Sequence, residues 1–83
     1  MEQDQILIAV IKAFQDTLKQ EGIDTKVTAD TQWLNFGLDS VALLGIFGEL
    51  EERFGFEIDE ELMVEQATIA DLATELAMMG ERA

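Results

Sequence analysis

The stretch GLDSVALLGIFGELEERFG, residues 37–55, contains the start, the body and the end of one helix. Asp39 and Ser40 are both residue types that cap helix N-termini, and Gly55 is suited to the left-handed conformation that ends a helix. The sequence therefore predicts a helix from Asp39 or Ser40 to about Phe54. We expect its inward face to follow steps of three, three, three and four, namely Val41, Leu44, Phe47, Leu50 and Phe54, with Leu43 and Ile46 off that stripe.

Helical periodicity also describes the two ends of the chain. From Ile6 to Leu18, apolar residues at steps of four, three and four predict a first helix that ends at Gly22. Its predicted inner face is Leu7, Ile11, Phe14 and Leu18. Thr68 is suited to cap a last helix, with Asp71 completing a shortened capping box. The predicted buried face of this helix is Ile69, Leu72, Ala73, Leu76 and Met79, and we expect Gly80 to end it, with the last three residues frayed.

Two connections separate these helices. Residues 23–39 have no sustained period and predict a long loop with a short helical turn from Thr31 to Leu34. The apolar residues expected to tie this loop to the core are Ile23, Val27, Trp33, Leu34 and Phe36. An acidic group from Asp59 to Glu61 predicts a short helical segment through Val64. We therefore expect an all-α fold, a small four-helix bundle of three longer helices and one short helix with a long first loop, in a single domain over residues 1–83.

The charge of the chain excludes some partners and favours others. The 83 residues include 18 acidic and five basic side chains, a formal net charge of -13, which would repel nucleic acid. Residues 1–27 hold five acids and three lysines, a net of -2, whereas residues 28–83 hold thirteen acids and two arginines, a net of -11. We expect a monomer whose electrostatic docking surface lies in the later part and attracts basic partners.

Cysteine and histidine are both absent from the sequence. Disulfides, a thiolate nucleophile and the commonest zinc ligands are therefore missing, and so is the usual general base, so we predict no metal site. Glu2 and Asp4 stand where a secretion signal would have a basic region, and no apolar stretch approaches membrane-spanning length. We expect a cytoplasmic protein without a membrane partner.

Ser40 is a poor candidate for a catalytic nucleophile. A hydroxyl becomes a good nucleophile only when a base removes its proton, and the chain offers no histidine for that purpose. Asp39 is adjacent, but a capping carboxylate is a weak base that points towards backbone N–H groups. We therefore predict that Ser40 is the substrate of another enzyme and that the chain has no catalytic residue of its own.

Several motifs, taken in order and spacing over residues 5–77, resemble those of the acyl and peptidyl carrier proteins. They are an amphipathic first helix, the loop motif WLNFG at residues 33–37, the Ser40 helix ending in LEERFGFEI at residues 50–58, and TIADL at residues 68–72. The resemblance implies that Ser40 carries a 4'-phosphopantetheine arm, with Leu38 and Asp39 next to the attachment site. It implies a non-catalytic carrier that shuttles acyl or aminoacyl thioesters.

The same resemblance implies three kinds of partner. A phosphopantetheinyl transferase would move the arm from coenzyme A to the serine oxygen with the help of Mg²⁺. A second enzyme would load the acyl or aminoacyl group onto the thiol of the arm, and a downstream synthase or transferase would receive it. The absence of cysteine fits this scheme, because the working thiol would come from the cofactor alone.

The surface that follows the serine departs from that family. Many fatty acid carriers place carboxylates just after the serine, where this chain has Ala42 and Gly45, and no charge occurs between residues 41 and 48. Either Leu43 and Ile46 pack under the long loop, or this helix offers an apolar docking face. The candidate docking residues are Val41, Leu43, Leu44 and Glu49. Gly45 and Gly48, which cost a helix about 1 kcal/mol each relative to Ala, allow close approach of a partner or loop, or are merely tolerated.

Two interpretations follow from the sequence. Because the sequence starts at Met1 and ends soon after the last predicted helix, we expect a discrete carrier. The missing carboxylates favour specialised metabolism, such as polyketide, non-ribosomal peptide or aminoacyl assembly, over the central fatty acid carrier. The alternative is an acidic helical adaptor that binds a basic or apolar partner and takes up no cofactor. Uptake of phosphopantetheine distinguishes the two.

Overall fold

Three α-helices make up most of the described part of the chain, which is residues 3–58 and 68–82 of a computed structural model. They are α1 (Gln3–Gln20), α2 (Ser40–Phe54) and α3 (Ile69–Arg82), with a 3-10 turn at Trp33–Phe36. These residues form no strand, and their one bridge of strand type joins Gln32 to Thr68. The predicted all-α class is confirmed. The short helix predicted after Asp59 lies outside the described residues.

α1 is the central helix and packs against both α2 and α3. Ile6 near its start shares a groove with Phe54 and Ala77, which lie late in α2 and α3, so both neighbours run antiparallel to α1. No helix of the described part has the length and hydropathy needed to cross a bilayer. Among the described residues, those buried in the core are Ile6, Ala9, Val10, Ala13, Phe14, Leu18, Val27, Trp33, Ile46, Phe47, Leu50, Ile58, Ile69, Leu72, Ala73, Leu76 and Met79.

The backbone of the long loop is hydrogen-bonded to a side chain of α1 and to the backbone of α3. The Gln15 side chain in α1 donates to the Thr25 carbonyl at 2.8 Å and accepts from the Val27 N–H at 2.9 Å. The first two N–H groups of α3, those of residues 69 and 70, donate to the carbonyls of Thr31 and Ala29 at 3.0 and 2.8 Å. The loop thus supplies acceptors that the start of a helix otherwise lacks, which holds the loop and α3 together.

The helix ends agree with the predicted caps at four of five places, one of which is Asp39 at the start of α2. Gly22 and Gly55 adopt φ angles of 76° and 80° after α1 and α2. At the start of α3, the Asp71 N–H donates to Thr68 Oγ1 at 3.1 Å and the Thr68 N–H donates to Asp71 Oδ2 at 3.2 Å, which is the predicted capping box. The prediction that Gly80 ends the last helix is wrong, because α3 continues through it to Arg82.

Gly80 has a packing role instead of a capping role. A Cβ atom at this position would lie 3.2 Å from Cε1 of Phe56, whose ring stacks on Phe54 with the ring centres 5.9 Å apart. The absence of a side chain therefore lets this aromatic pair, at the end of α2, approach α3. This contact is a long-range one, which is why the local pattern suggested a helix end.

The predicted inner faces hold for α3, in part for α1, and poorly for α2. All five residues predicted to be buried in α3 are buried, while in α1 Phe14 and Leu18 are buried and Leu7 and Ile11 lie half-buried at the edge of the core. In α2 the buried residues are Ile46, Phe47 and Leu50. Of the other residues predicted to face inward there, Phe54 is half-buried and Val41 and Leu44 are exposed.

The geometry of an α-helix explains the wrong prediction for α2. At 3.6 residues per turn, each residue advances by about 100°, so Val41 and Leu50 lie about 180° apart around the helix. Three consecutive steps of three therefore carry the stripe from one side to the other. The face that is buried contains Leu43, Ile46 and Leu50, and the first two of these were predicted to lie off it.

The short turn in the long loop is displaced from its predicted position. It spans Trp33–Phe36, two residues later than the predicted Thr31 to Leu34. Thr31 instead accepts a hydrogen bond from the Thr28 N–H on its Oγ1 at 2.8 Å, which closes a separate turn before it. The displacement places the turn directly before Gly37.

Candidate functional site

The start of α2 presents Ser40 to solvent on a well-defined backbone. The 3-10 turn ends at Gly37, whose φ of 74° is in the left-handed region. Asp39 is extended, and its Oδ1 accepts a hydrogen bond from the Ala42 N–H at 2.8 Å. Ser40 is the first residue of the helix, is exposed, and is the only serine in the chain. The cap therefore fixes the backbone at Ser40 while the hydroxyl stays accessible.

No described residue forms a hydrogen bond that would activate the Ser40 hydroxyl. The neighbouring carboxylate of Asp39 is engaged as the cap of α2. Within residues 3–58 and 68–82, no three acidic side chains are grouped so that they could hold a metal ion. The described residues thus place no base in hydrogen-bond contact with this hydroxyl.

Aromatic packing holds the loop before Ser40 in place. Trp33 is 2% exposed and packs against Phe14 of α1 and Phe47 of α2, with ring centres 5.8 and 6.0 Å apart. Phe36, in the same turn, lies 6.0 Å from Phe14, and Leu38 packs half-buried against the core. The predicted role of Trp33 as an anchor of the long loop is confirmed, and its indole N–H has no hydrogen-bond partner among the described residues.

One side of α2 next to Ser40 is apolar and uncovered. Val41 is 76% exposed and Leu44 is 49% exposed, and Gly45 and Gly48 are exposed beside them. These four residues are spaced by three, one and three positions, which places them on one side of the helix, opposite the buried face. We call them the outer face of α2. The outer face carries no charged side chain.

The apolar sequence of α2 had two explanations, packing of Leu43 and Ile46 in the interior or an apolar docking face, and the burial of each residue distinguishes them. Ile46 is 1% exposed and Leu43 is half-buried against the core, so packing accounts for both. Glu49 is exposed and lies 4.0 Å from Arg53 in a surface ion pair. Of the four candidate docking residues, Val41, Leu44 and Glu49 are thus accessible, whereas Leu43 belongs largely to the core.

The structure also places the last turns of α1 and the residues after them next to the site, which the sequence analysis did not predict. A groove of about 130 Å³ beside Ser40 is lined by Glu21, Ile23, Gly37, Leu38, Asp39 and Ala42. A second groove of about 310 Å³ between α1 and α2 contains the acidic Asp16, Glu21 and Glu49. Asp16 and Glu21 reach this position only because α1 and α2 run antiparallel, and no local motif marks them.

Comparison with known families identifies the group to which the site belongs. The family profile described as PP-binding, phosphopantetheine attachment site, matches residues 9–76. The chain belongs to this phosphopantetheine-binding carrier family. Members of the family bind 4'-phosphopantetheine covalently, so the resemblance to carrier proteins and the predicted cofactor are both confirmed.

Two curated relatives match the chain in sequence, one a peptide synthetase and the other an acyl carrier protein. The carrier is 33% identical over 75 residues to nonribosomal peptide synthetase Ao415 of Arthrobotrys oligospora, a match that covers 89% of this chain and 2% of that protein. It is 34% identical over 61 residues to acyl carrier protein 1, chloroplastic, of Spinacia oleracea, covering 74% of this chain and 44% of that protein. The chain thus spans less than half the length of either relative.

The residues around Ser40 fit such a cofactor. Ser40 is exposed, and the N–H groups in the first turn of α2 provide the positive end of a helix, which favours a phosphate group. The side chain of Asp39 already occupies the N–H of Ala42, so the remaining first-turn groups would be available. The neighbouring grooves are open, so the arm would not have to displace a buried side chain.

Proposed function

We propose that Ser40 carries 4'-phosphopantetheine and that the chain, as one domain over residues 1–83, is a non-catalytic carrier of acyl or aminoacyl groups. The observation that supports this most is the exposure of a single serine, without a base, at the first position of a capped helix in a phosphopantetheine-binding chain. Asp39 keeps the helix start in place, and Leu38 anchors the backbone before it.

The attachment reaction needs a second enzyme and coenzyme A. Ser40 Oγ forms a bond to the phosphorus that bears the pantetheine, and the bond from that phosphorus to the bridging pyrophosphate oxygen breaks. Adenosine 3',5'-bisphosphate leaves, and the hydroxyl proton passes to a base of the transferase, because this chain has no histidine and no activated base at Ser40. Once bound, the arm supplies a thiol that holds acyl or aminoacyl groups as thioesters.

The partners are the transferase, a loading enzyme and a synthase or transferase that receives the cargo. The accessible docking candidates for them are Val41, Leu44 and Glu49, while Leu43 supports the helix from inside. The chain's net charge of -13 favours enzymes with basic surfaces.

We propose further that the cargo belongs to specialised metabolism, with aminoacyl or polyketide intermediates as the main candidates. Two features support this choice. Ala42 and Gly45 stand at positions where many fatty acid carriers have carboxylates, and one of the relatives is named as a non-ribosomal peptide synthetase. Mass spectrometry of the native carrier with its thioester intact identifies the cargo.

Intact-mass measurement tests the attachment. After incubation with coenzyme A, Mg²⁺ and a transferase of broad specificity, the wild-type chain should gain the mass of one phosphopantetheine. Ser40→Ala should gain nothing, and because Ser40 is exposed this variant should unfold at nearly the wild-type temperature. A wild-type chain that gains no mass would instead support the adaptor without a cofactor, and a modified Ser40→Ala chain would refute the site.

A further inference from the structure

The three lysines of the chain, Lys12, Lys19 and Lys26, lie in the first third of the sequence, and all are exposed. None of their ammonium groups forms an ion pair or a hydrogen bond with a described residue. Residues 28–83, by contrast, have a net charge of -11. The lysines are thus unpaired positive charges, within the described part, on a molecule whose net charge is -13.

The geometry of α1 places two of these lysines on one side of the helix. At about 100° per residue, Ile8, Lys12 and Lys19 lie within about 40° of one another around the helix axis. Val10, which is 0% exposed, lies about 180° from Lys19, so this side of α1 points away from the core. Ile8 is 66% exposed and adds an apolar residue next to Lys12.

The hydrogen bonds of the long loop bring the third lysine to the same region. Lys26 lies between two loop residues whose backbone groups are both hydrogen-bonded to the side chain of Gln15, at 2.8 and 2.9 Å. Gln15 lies on α1 between Lys12 and Lys19, within about 60° of both around the helix. We call Lys12, Lys19 and Lys26 the basic patch.

The surface is continuous from the basic patch to the neighbourhood of Ser40. A groove of about 360 Å³ at the patch is lined by Gln15, Lys19, Gly22, Ile23 and Asp24. The smaller groove beside Ser40 also contains Ile23, so the two grooves meet at this residue. A protein that binds at the patch can therefore also reach the start of α2.

Charge complementarity indicates the kind of partner that fits the patch. Three ammonium groups attract carboxylates or phosphates, but a net charge of -13 repels a nucleic acid or an anionic membrane, whose charge extends well beyond the patch. An acidic region on a protein is limited in size and can match the patch alone. The exposed Ile8 fits a protein partner as well, since protein interfaces combine apolar contacts with a polar rim.

Among the enzymes that act on a carrier, the loading enzyme has the greatest need for such a surface. The transferase attaches the same group to every carrier, and an enzyme that receives the cargo can recognise the cargo itself. The loading enzyme meets an arm that is chemically the same on every carrier. It must therefore distinguish one carrier from another by the protein surface.

Resting on the function proposed above, we propose that the basic patch docks an acidic surface of the loading enzyme and so determines which enzyme loads this carrier. Asp and Glu side chains of that enzyme bind the three ammonium groups, and an apolar side chain beside them covers Ile8. The contact also orients the carrier, because its basic patch and its acidic remainder match only a partner with the reverse arrangement of charge.

Charge reversal of the patch tests the inference in cells in which the carrier is native. Intact mass of the purified carrier distinguishes the chain without the arm, with a free arm and with a loaded arm. The variant Lys12→Glu, Lys19→Glu and Lys26→Glu should keep the arm, while its loaded fraction falls by about tenfold. The matched variant Lys12→Arg, Lys19→Arg and Lys26→Arg keeps the charge and should be loaded like the wild type. Because all three side chains are exposed, both variants should melt near the wild-type temperature.

Two single substitutions separate the patch from the net charge. Lys19→Gln and Met78→Glu, the latter at an exposed position of α3, each change the net charge by -1. Only Lys19→Gln should lower the loaded fraction, by about two- to threefold.

Several outcomes would overturn the inference and leave the carrier function standing. They are wild-type loading of the triple glutamate variant, an equal loss in Met78→Glu, and loss of the arm itself from the glutamate variant. Binding of the wild-type chain, but not of the glutamate variant, to phosphatidylglycerol vesicles would show a lipid site and overturn it as well. A wild-type chain without the arm would overturn the carrier function, and the inference with it.

Discussion

α2 and α3 are helices of similar length, and both have side-chain caps at the N-terminus. They differ in how many of their apolar residues are buried. In α3 the five residues Ile69, Leu72, Ala73, Leu76 and Met79 all turn inward and are buried. In the first half of α2 the apolar residues surround the helix, and Val41 and Leu44 lie outside. Only α2 carries an exposed serine at its first position.

The difference lies in how much apolar surface each helix removes from water. Every apolar side chain that α3 buries adds to the core, because removal of apolar surface from water stabilises the fold. Val41 and Leu44 make little of that contribution, because both are exposed. The helix that starts with Ser40 thus combines one buried face with one exposed apolar face, which is the docking face in the function proposed above.

Truncation of one leucine in each helix should give the largest difference in stability between α2 and α3. Leu76 is 0% exposed, so Leu76→Ala should lower the free energy of unfolding by about 2 to 5 kcal/mol, as expected for a buried leucine. Leu44→Ala should lower it by less than about 1 kcal/mol, since about half of that side chain is already in water. Urea denaturation measures both changes. Equal losses would show that Leu44 belongs to the core after all.

The N-terminal caps of α2 and α3 should contribute about equally to the stability of the fold. Asp39→Ala removes the acceptor for the Ala42 N–H, and Thr68→Ala removes the acceptor for the Asp71 N–H. Each variant should lose about 1 kcal/mol of stability in thermal or urea unfolding. Asp39→Asn keeps a capping oxygen and is the control, with a loss of a few tenths at most. A loss in Asp39→Asn as large as in Asp39→Ala would indicate that charge, and not the hydrogen bond, stabilises the start of α2.

The smallest expected difference in stability is between alanine substitutions at one glycine of α2 and one glycine of α3. Gly45→Ala should stabilise the chain by up to about 1 kcal/mol, because its surroundings are open. Gly80→Ala should give no gain, because the new Cβ atom would lie 3.2 Å from Cε1 of Phe56. In a Phe56→Ala background, the gain from Gly80→Ala should reappear. Equal gains from both glycines in the wild-type background would contradict the close packing of Phe56 on α3.

Local patterns were sufficient for the parts of the fold that depend on neighbours in sequence. The capping box of Thr68 and Asp71, the cap at Asp39 and the stop at Gly55 all depend on interactions within a few residues, and the sequence predicted each of them. The buried face of α3 could also be predicted from the sequence, because its apolar residues recur at a true helical period.

Long-range packing decided the features that the sequence did not predict. α2 is apolar all around its first half, so its period alone did not say which side faces α1. Gly80 resembles a helix end locally but is required by the ring of Phe56, which comes from another part of the chain. The contribution of Asp16 and Glu21 to the surface beside the site follows from the antiparallel pairing of two helices, which no single segment encodes.

The most direct test of the account is to locate the arm on the carrier purified from cells in which it is native. Trypsin cuts after Lys26 and Arg53, so residues 27–53 form one peptide that contains Ser40 together with Thr28 and Thr31. Fragmentation mass spectrometry of this peptide should place one phosphopantetheine on Ser40. A peptide that is unmodified in all of the material, or one modified at a threonine, would contradict the account.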